Sequence, residues 1–79
     1  MSQTFTLYST SWCPFCHRLK YDLDKARIDY TEIDIERTPD AATIVEGFNG
    51  GNRTVPTLVF DDGSALTNPS VDQVRAKIG

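Results

Sequence analysis

Phe5-Thr6-Leu7-Tyr8 alternates apolar and polar residues in a stretch rich in strand formers, which predicts a half-buried first strand. A polar loop, Ser9-Thr10-Ser11, follows it. From Pro14 to about Arg27 the spacing turns helical, with Phe15, Leu19, Leu23 and Ala26 on one stripe. Pro14 suits a first helical position, and Ser11 is a candidate cap. Tyr30 to Ile35 reads as a second strand. Pro39 opens a second helix that offers Ala42, Ile44, Val45 and Phe48 to the core and stops at Asn49-Gly50-Gly51-Asn52. Thr57 to Phe60 is an apolar strand, Asp61-Asp62-Gly63 a hairpin turn, and Ser64 to Thr67 a short return strand. After Asn68-Pro69-Ser70, the positions Val71, Val74 and Ile78 mark a last amphipathic helix.

The order β-α-β-α-β-β-α predicts an α/β fold over residues 1–79, read as a single domain. The strand–helix–strand start implies a parallel pair with a right-handed crossover. The hairpin adds two antiparallel strands, so a four-stranded mixed sheet covered by three helices is expected. A chain of 79 residues can hold only one modest core.

Small secreted domains often make up for a modest core with several disulfides, but this chain has only two cysteines, Cys13 and Cys16. A bridge across two intervening residues closes too small a loop to act as a main staple. The pair therefore points to chemistry rather than architecture. The net charge of -3 comes with no basic stripe, which argues against nucleic acid as a partner. No apolar run reaches membrane-spanning length, and Met1-Ser2-Gln3-Thr4 is not an export signal. A soluble cytoplasmic protein is the expectation. In that compartment CxxC is catalytic or metal-binding more often than structural.

Cysteines three apart on a helix lie on the same side, close enough to bridge. Cys13 falls at the helix start, where unpaired N–H groups and the macrodipole favour an anion. CxxC thiols in such places have pKa values lowered from about 8.5 to roughly 3.5–7.5. Cys13 is therefore assigned as nucleophile and Cys16, a turn deeper, as resolving thiol. The bland alternative is a pair of ordinary core cysteines. A zinc reading through Cys13, Cys16 and His17 falls short of four ligands, and neighbouring helical residues point apart. No metal is expected, and His17 reads as a surface residue.

A second feature is Thr54-Val55-Pro56, placed just before the strand that starts at Thr57. Proline has no N–H to donate, so it suits a strand's first residue. Were the Val55–Pro56 bond cis, the Val55 backbone could pair with an extended substrate.

Taken together, Trp12-Cys13-Pro14-Phe15-Cys16-His17-Arg18 and Thr54-Val55-Pro56 resemble a glutaredoxin over nearly the whole chain. The resemblance implies the thioredoxin fold, a cis Pro56 and disulfide exchange through Cys13. Two departures bear on the substrate. Glutaredoxins typically carry a lysine three residues before the nucleophile, which pairs with a glutathione carboxylate; here that position is Thr10. They also carry Gly-Gly-Cys-Asp-Asp after the last strand, where this chain has the neutral Leu66-Thr67-Asn68-Pro69-Ser70. Glutathione would lose charge-assisted hydrogen bonds worth about 1.5–3 kcal/mol each. The pattern, with Asn49-Gly50-Gly51-Asn52-Arg53 ahead of Thr54, resembles the mycoredoxins, which use mycothiol, a sugar-based thiol without a carboxylate.

The resemblance implies reduction of protein–mycothiol mixed disulfides with no bound cofactor. Mycothiol or glutathione is the co-substrate, S-thiolated proteins are the substrates, and a separate NADPH-dependent reductase supplies the electrons. A monomer is the simplest expectation. Candidate substrate-binding residues are Trp12, Phe15, Arg53, Thr54, Val55, Pro56, Thr67 and Asn68. Trp12 either packs on substrate or anchors the loop. Phe15 is either an apolar wall of the site or part of the core stripe. Arg18, Lys20 and the acidic run from Asp22 to Asp34 read as solvated surface. One alternative is a dithiol electron donor to ribonucleotide reductase, recharged by thioredoxin reductase. Another is a non-enzymatic module in which Cys13 of two chains holds an iron–sulfur cluster.

Overall fold

The computed structural model describes residues 4–52 and 54–78. Its elements run β1 (Phe5–Ser9), α1 (Pro14–Lys25), β2 (Thr31–Asp34), α2 (Pro39–Phe48), β3 (Thr57–Phe60), β4 (Ala65–Thr67) and α3 (Val71–Ile78). This is the expected order, with β2 and β4 slightly shorter than the apolar pattern suggests. The four strands form one sheet in the order β2-β1-β3-β4. β1 runs parallel to β2 and antiparallel to β3, and β3 pairs antiparallel with β4.

Period-two alternation sends successive residues of β1 to opposite faces. Phe5 and Leu7 meet Leu58 and Phe60 of β3, and Leu19 and Leu23 of α1 and Val74 of α3 close over them. Tyr8 points the other way and packs with Ile35 and with Ala41, Ala42 and Val45 of α2. One sheet face therefore carries α1 and α3, and the other carries α2.

Two expectations about helix faces are corrected. In α1 the inward stripe is Cys16, Leu19 and Leu23, whereas Phe15 is 62% exposed. Turning the stripe by one residue exchanges an aromatic for a small, fully buried cysteine that the crowded interior can take. In α2 the buried residues are Ala41, Ala42 and Val45, while Ile44 and Phe48 stay largely exposed. The buried face is built on Ala41, Ala42 and Val45, which pack with Tyr8 and Ile35.

Helix ends fix where the loops go. α1 closes with Arg27 N–H on the Asp24 carbonyl (3.1 Å) and Ile28 N–H on the Leu23 carbonyl (3.0 Å). This is the Schellman pattern, with Arg27 in the left-handed region at φ 58. α3 opens with a reciprocal capping box. Gln73 N–H donates to Ser70 Oγ at 3.2 Å, and Ser70 N–H donates to Gln73 Oε1 at 2.8 Å. Among the described residues, no helix is long and apolar enough to cross a membrane.

Candidate active site

The cap of α1 is Cys13, not Ser11. Pro14 occupies the first helical position and has no N–H, so the residue before it becomes the cap. Cys13 is extended there (φ -79, ψ 112), and its sulfur accepts the Cys16 N–H at 3.2 Å. Ser11 lies too early to cap; its carbonyl instead accepts from His17 Nε2 at 2.7 Å, which ties the exposed His17 ring to the loop.

Both cysteines are free and buried, Cys13 at 3% and Cys16 at 0% exposure. Burial, and then the hydrogen bond it donates to Cys13, push the Cys16 thiol up to about 12. The pair is thus chemically unequal. Cys16 keeps its proton at neutral pH, whereas Cys13 lies at the helix end with a backbone donor on its sulfur. The Cys13 thiol in turn faces the Val55 carbonyl at 3.8 Å.

The Val55–Pro56 bond is cis. The segment is braced from both sides: Thr57 Oγ1 donates to the Thr54 carbonyl at 2.7 Å, and Asn68 N–H donates to the Pro56 carbonyl at 2.7 Å. Asn49, which the sequence marks as the end of a helix and as part of the stretch ahead of Thr54, sits at the centre of this bracing. Asn49 Nδ2 donates to the Val45 carbonyl (2.9 Å) and to Thr57 Oγ1 (3.1 Å), while Asn49 Oδ1 accepts from Thr67 Oγ1 (2.6 Å). Asparagine after a helix was a visible signal for the first of these bonds. The other two join residues far apart in sequence.

The remaining candidates divide. Trp12 and Phe15 are exposed at 67% and 62%, so neither is a buried anchor. The Val55 carbonyl faces Cys13, and Asn68 is joined to Pro56 through its N–H. The Thr67 hydroxyl is turned toward Asn49, and Arg53 lies outside the described residues. Thr10 is 3% exposed, with its hydroxyl unpartnered among the described residues. Lys20 and Glu32 are not simply solvated. Glu32 Oε2 accepts from Lys20 Nζ at 2.8 Å and from the buried Ser9 hydroxyl at 2.7 Å. Burial pushes the Glu32 carboxyl up, but these two donors outweigh it and hold it below the usual range. No group of three or more His, Cys, Asp or Glu able to hold a metal occurs among the described residues.

The glutaredoxin family model matches residues 5–64. The chain belongs to the glutaredoxin family. A Mycobacterium tuberculosis protein that carries a glutaredoxin name is 55% identical over 78 residues, 99% of this chain and 93% of the relative. Mycoredoxin 1 of Corynebacterium glutamicum is 42% identical over 73 residues, 92% of this chain and 90% of the relative. Among solved structures, the glutaredoxin-like NrdH-redoxin of Escherichia coli superposes with a TM-score of 0.78 at 23% identity, covering 92% of each chain. A glutaredoxin from Archaeoglobus fulgidus gives 0.77 at 21% identity over 98% of this chain and 86% of its own. The fold is therefore thioredoxin-like, and this glutaredoxin is a thiol–disulfide oxidoreductase close to the mycoredoxins. Membership of the family implies a low-molecular-weight thiol and a reductase as partners.

Proposed function

We propose that this glutaredoxin reduces mixed disulfides between proteins and mycothiol, with Cys13 as nucleophile and Cys16 as resolving thiol. The observation that carries the reading is the lack of charge where a glutathione site needs it. Thr10 is buried and uncharged, and Asn68-Pro69-Ser70 offers amide and hydroxyl groups where glutaredoxins have carboxylates. The likeness to mycoredoxin 1 over most of both chains supports it.

The Cys13 thiolate attacks the mycothiol sulfur, the mixed S–S bond breaks, and the protein leaves as a thiolate that takes up a proton. Cys13 is then joined to mycothiol. A second mycothiol thiolate attacks the mycothiol sulfur of that adduct, which restores the Cys13 thiolate and releases mycothiol disulfide for an NADPH-dependent reductase. In a second route the Cys16 thiol loses its proton and attacks Cys13 instead, expelling reduced mycothiol and leaving a Cys13–Cys16 disulfide. The expected setting is cytoplasmic. Trp12, Phe15, Thr54, Val55, Pro56, Thr67 and Asn68 are the substrate-facing residues in this reading.

The test is to offer a Cys16→Ser variant one model thiol as two mixed disulfides, with mycothiol and with glutathione. A higher kcat/KM for the mycothiol form is expected. Preference for glutathione overturns the reading. Inactivity on both beside an active wild type turns the assignment to a dithiol electron donor.

A further inference from the structure

A groove of about 290 Å³ runs between α1 and the loop from β4 to α3. Phe15, Arg18 and Asp22 line one side, Asn68 and Ser70 the other, with buried Leu19 at its base. Two of its lining residues connect it to the active site. Phe15 lies between the two cysteines in sequence, and Asn68 is bonded to Pro56, next to the Val55 carbonyl that faces Cys13.

Arg18 and Asp22 are four apart on α1 and so share a face. Nevertheless they form no ion pair, and neither side chain bonds to any other described residue. The Asn68 side chain is likewise unbonded among the described residues, and Ser70 Oγ, which accepts from Gln73 N–H, keeps its own proton to donate. The groove thus presents guanidinium donors, carboxylate acceptors, an amide and a hydroxyl together with an exposed aromatic ring. A carboxylate that accepts, a guanidinium that donates and a ring that packs on C–H groups are what a polyhydroxylated ring requires. The volume lies at the lower limit of small-molecule pockets, about 300–1,000 Å³, so the groove takes part of a ligand rather than all of one.

We infer that this groove is the subsite for the sugar part of the thiol bound to Cys13, with Arg18 and Asp22 as the residues that read its hydroxyl groups. The inference rests on the mycothiol reading above and extends it to a part of α1 that the active-site motifs do not include. Asp22 also sets selectivity. Its carboxylate accepts from hydroxyl groups and offsets the attraction of Arg18 for a thiol bearing carboxylates, an attraction that is left unopposed when Asp22 is removed.

The experiment compares wild type, Arg18→Ala and Asp22→Ala on one model peptide as three mixed disulfides: with mycothiol, with glutathione, and with 2-mercaptoethanol, which lacks a ring. In each variant the ratio of kcat/KM for the mycothiol form to that for the 2-mercaptoethanol form should fall about tenfold, mostly through KM, as expected for loss of a hydrogen bond to a charged group. In Asp22→Ala the mycothiol-to-glutathione ratio should fall as well. If wild type prefers mycothiol and both variants keep its ratios, the subsite is overturned and the functional reading stands. If wild type prefers glutathione, both are overturned.

Discussion

The Asn49 side chain bonds the last turn of α2, the first residue of β3 and the last residue of β4 at once. Those strand residues flank the Thr54-Val55-Pro56 segment that faces Cys13. Removing the amide takes one bond each from the Val45 carbonyl and the Thr57 and Thr67 hydroxyls, of which the first two keep the Asn49 N–H and the Thr54 carbonyl as partners. We expect Asn49→Ala to cost about 2 kcal/mol in urea unfolding, a little above the usual worth of one buried bond. It should also lower kcat/KM on any mixed disulfide, since the loop beside Cys13 loses its brace. A variant with wild-type kcat/KM and reduced stability would confine Asn49 to the fold. Two of the three partners of Asn49 lie 8 and 18 residues away, so the local pattern marks the helix end and misses the brace.

At the level of elements, the ends of helices carry the information. α1 begins where Pro14 requires it to, and the same rule makes Cys13 the cap. Its other end is harder to read, because the left-handed position is occupied by Arg27 rather than glycine. A side chain there costs about 1–2 kcal/mol in backbone strain, part of which a glycine returns as greater freedom of the unfolded chain. Arg27→Gly should therefore raise stability by about 0.5–1 kcal/mol, seen as a higher urea midpoint at unchanged slope. An unchanged or lower midpoint would mean that Arg27 contributes contacts that outweigh its conformation. The capping box Ser70-Val71-Asp72-Gln73 is, by contrast, a four-residue pattern visible in the sequence, and it sets the turn that forms one side of the groove.

For the whole molecule, the buried cysteine couples chemistry to stability. The Cys16 thiol titrates near 9 when unperturbed and near 12 in the fold. Between those values the folded chain holds a proton that the unfolded chain has released. Stability is thus complete below pH 9 and falls as pH rises toward 12, by up to about 1.4 kcal/mol per pH unit. Burial, followed by the charges of Asp24 and Glu32, raises Tyr30 from 10 to about 12 and adds a second loss that starts higher. The urea midpoint of the wild type should therefore decline from pH 9 to pH 10, where that of Cys16→Ala stays nearly level. Parallel declines in the two proteins would place the loss elsewhere.

The element order, the mixed sheet and the reacting pair follow from local rules: alternation in β1, helical spacing after Pro14, and cysteines three apart at a helix start. These depend on residues close in sequence, so the chain states them directly. Which way each helix turns is different. Phe15 instead of Cys16, and Ile44 instead of Ala41, would satisfy the same amphipathic pattern. The choice came from packing against residues of other elements, and steric fit between distant segments is not written in any one segment. The same holds for the bracing by Asn49, the bond from Asn68 to Pro56, and the groove that sets Arg18 and Asp22 opposite Asn68 and Ser70. Each joins parts of the chain that meet only after β1, β3 and β4 have paired.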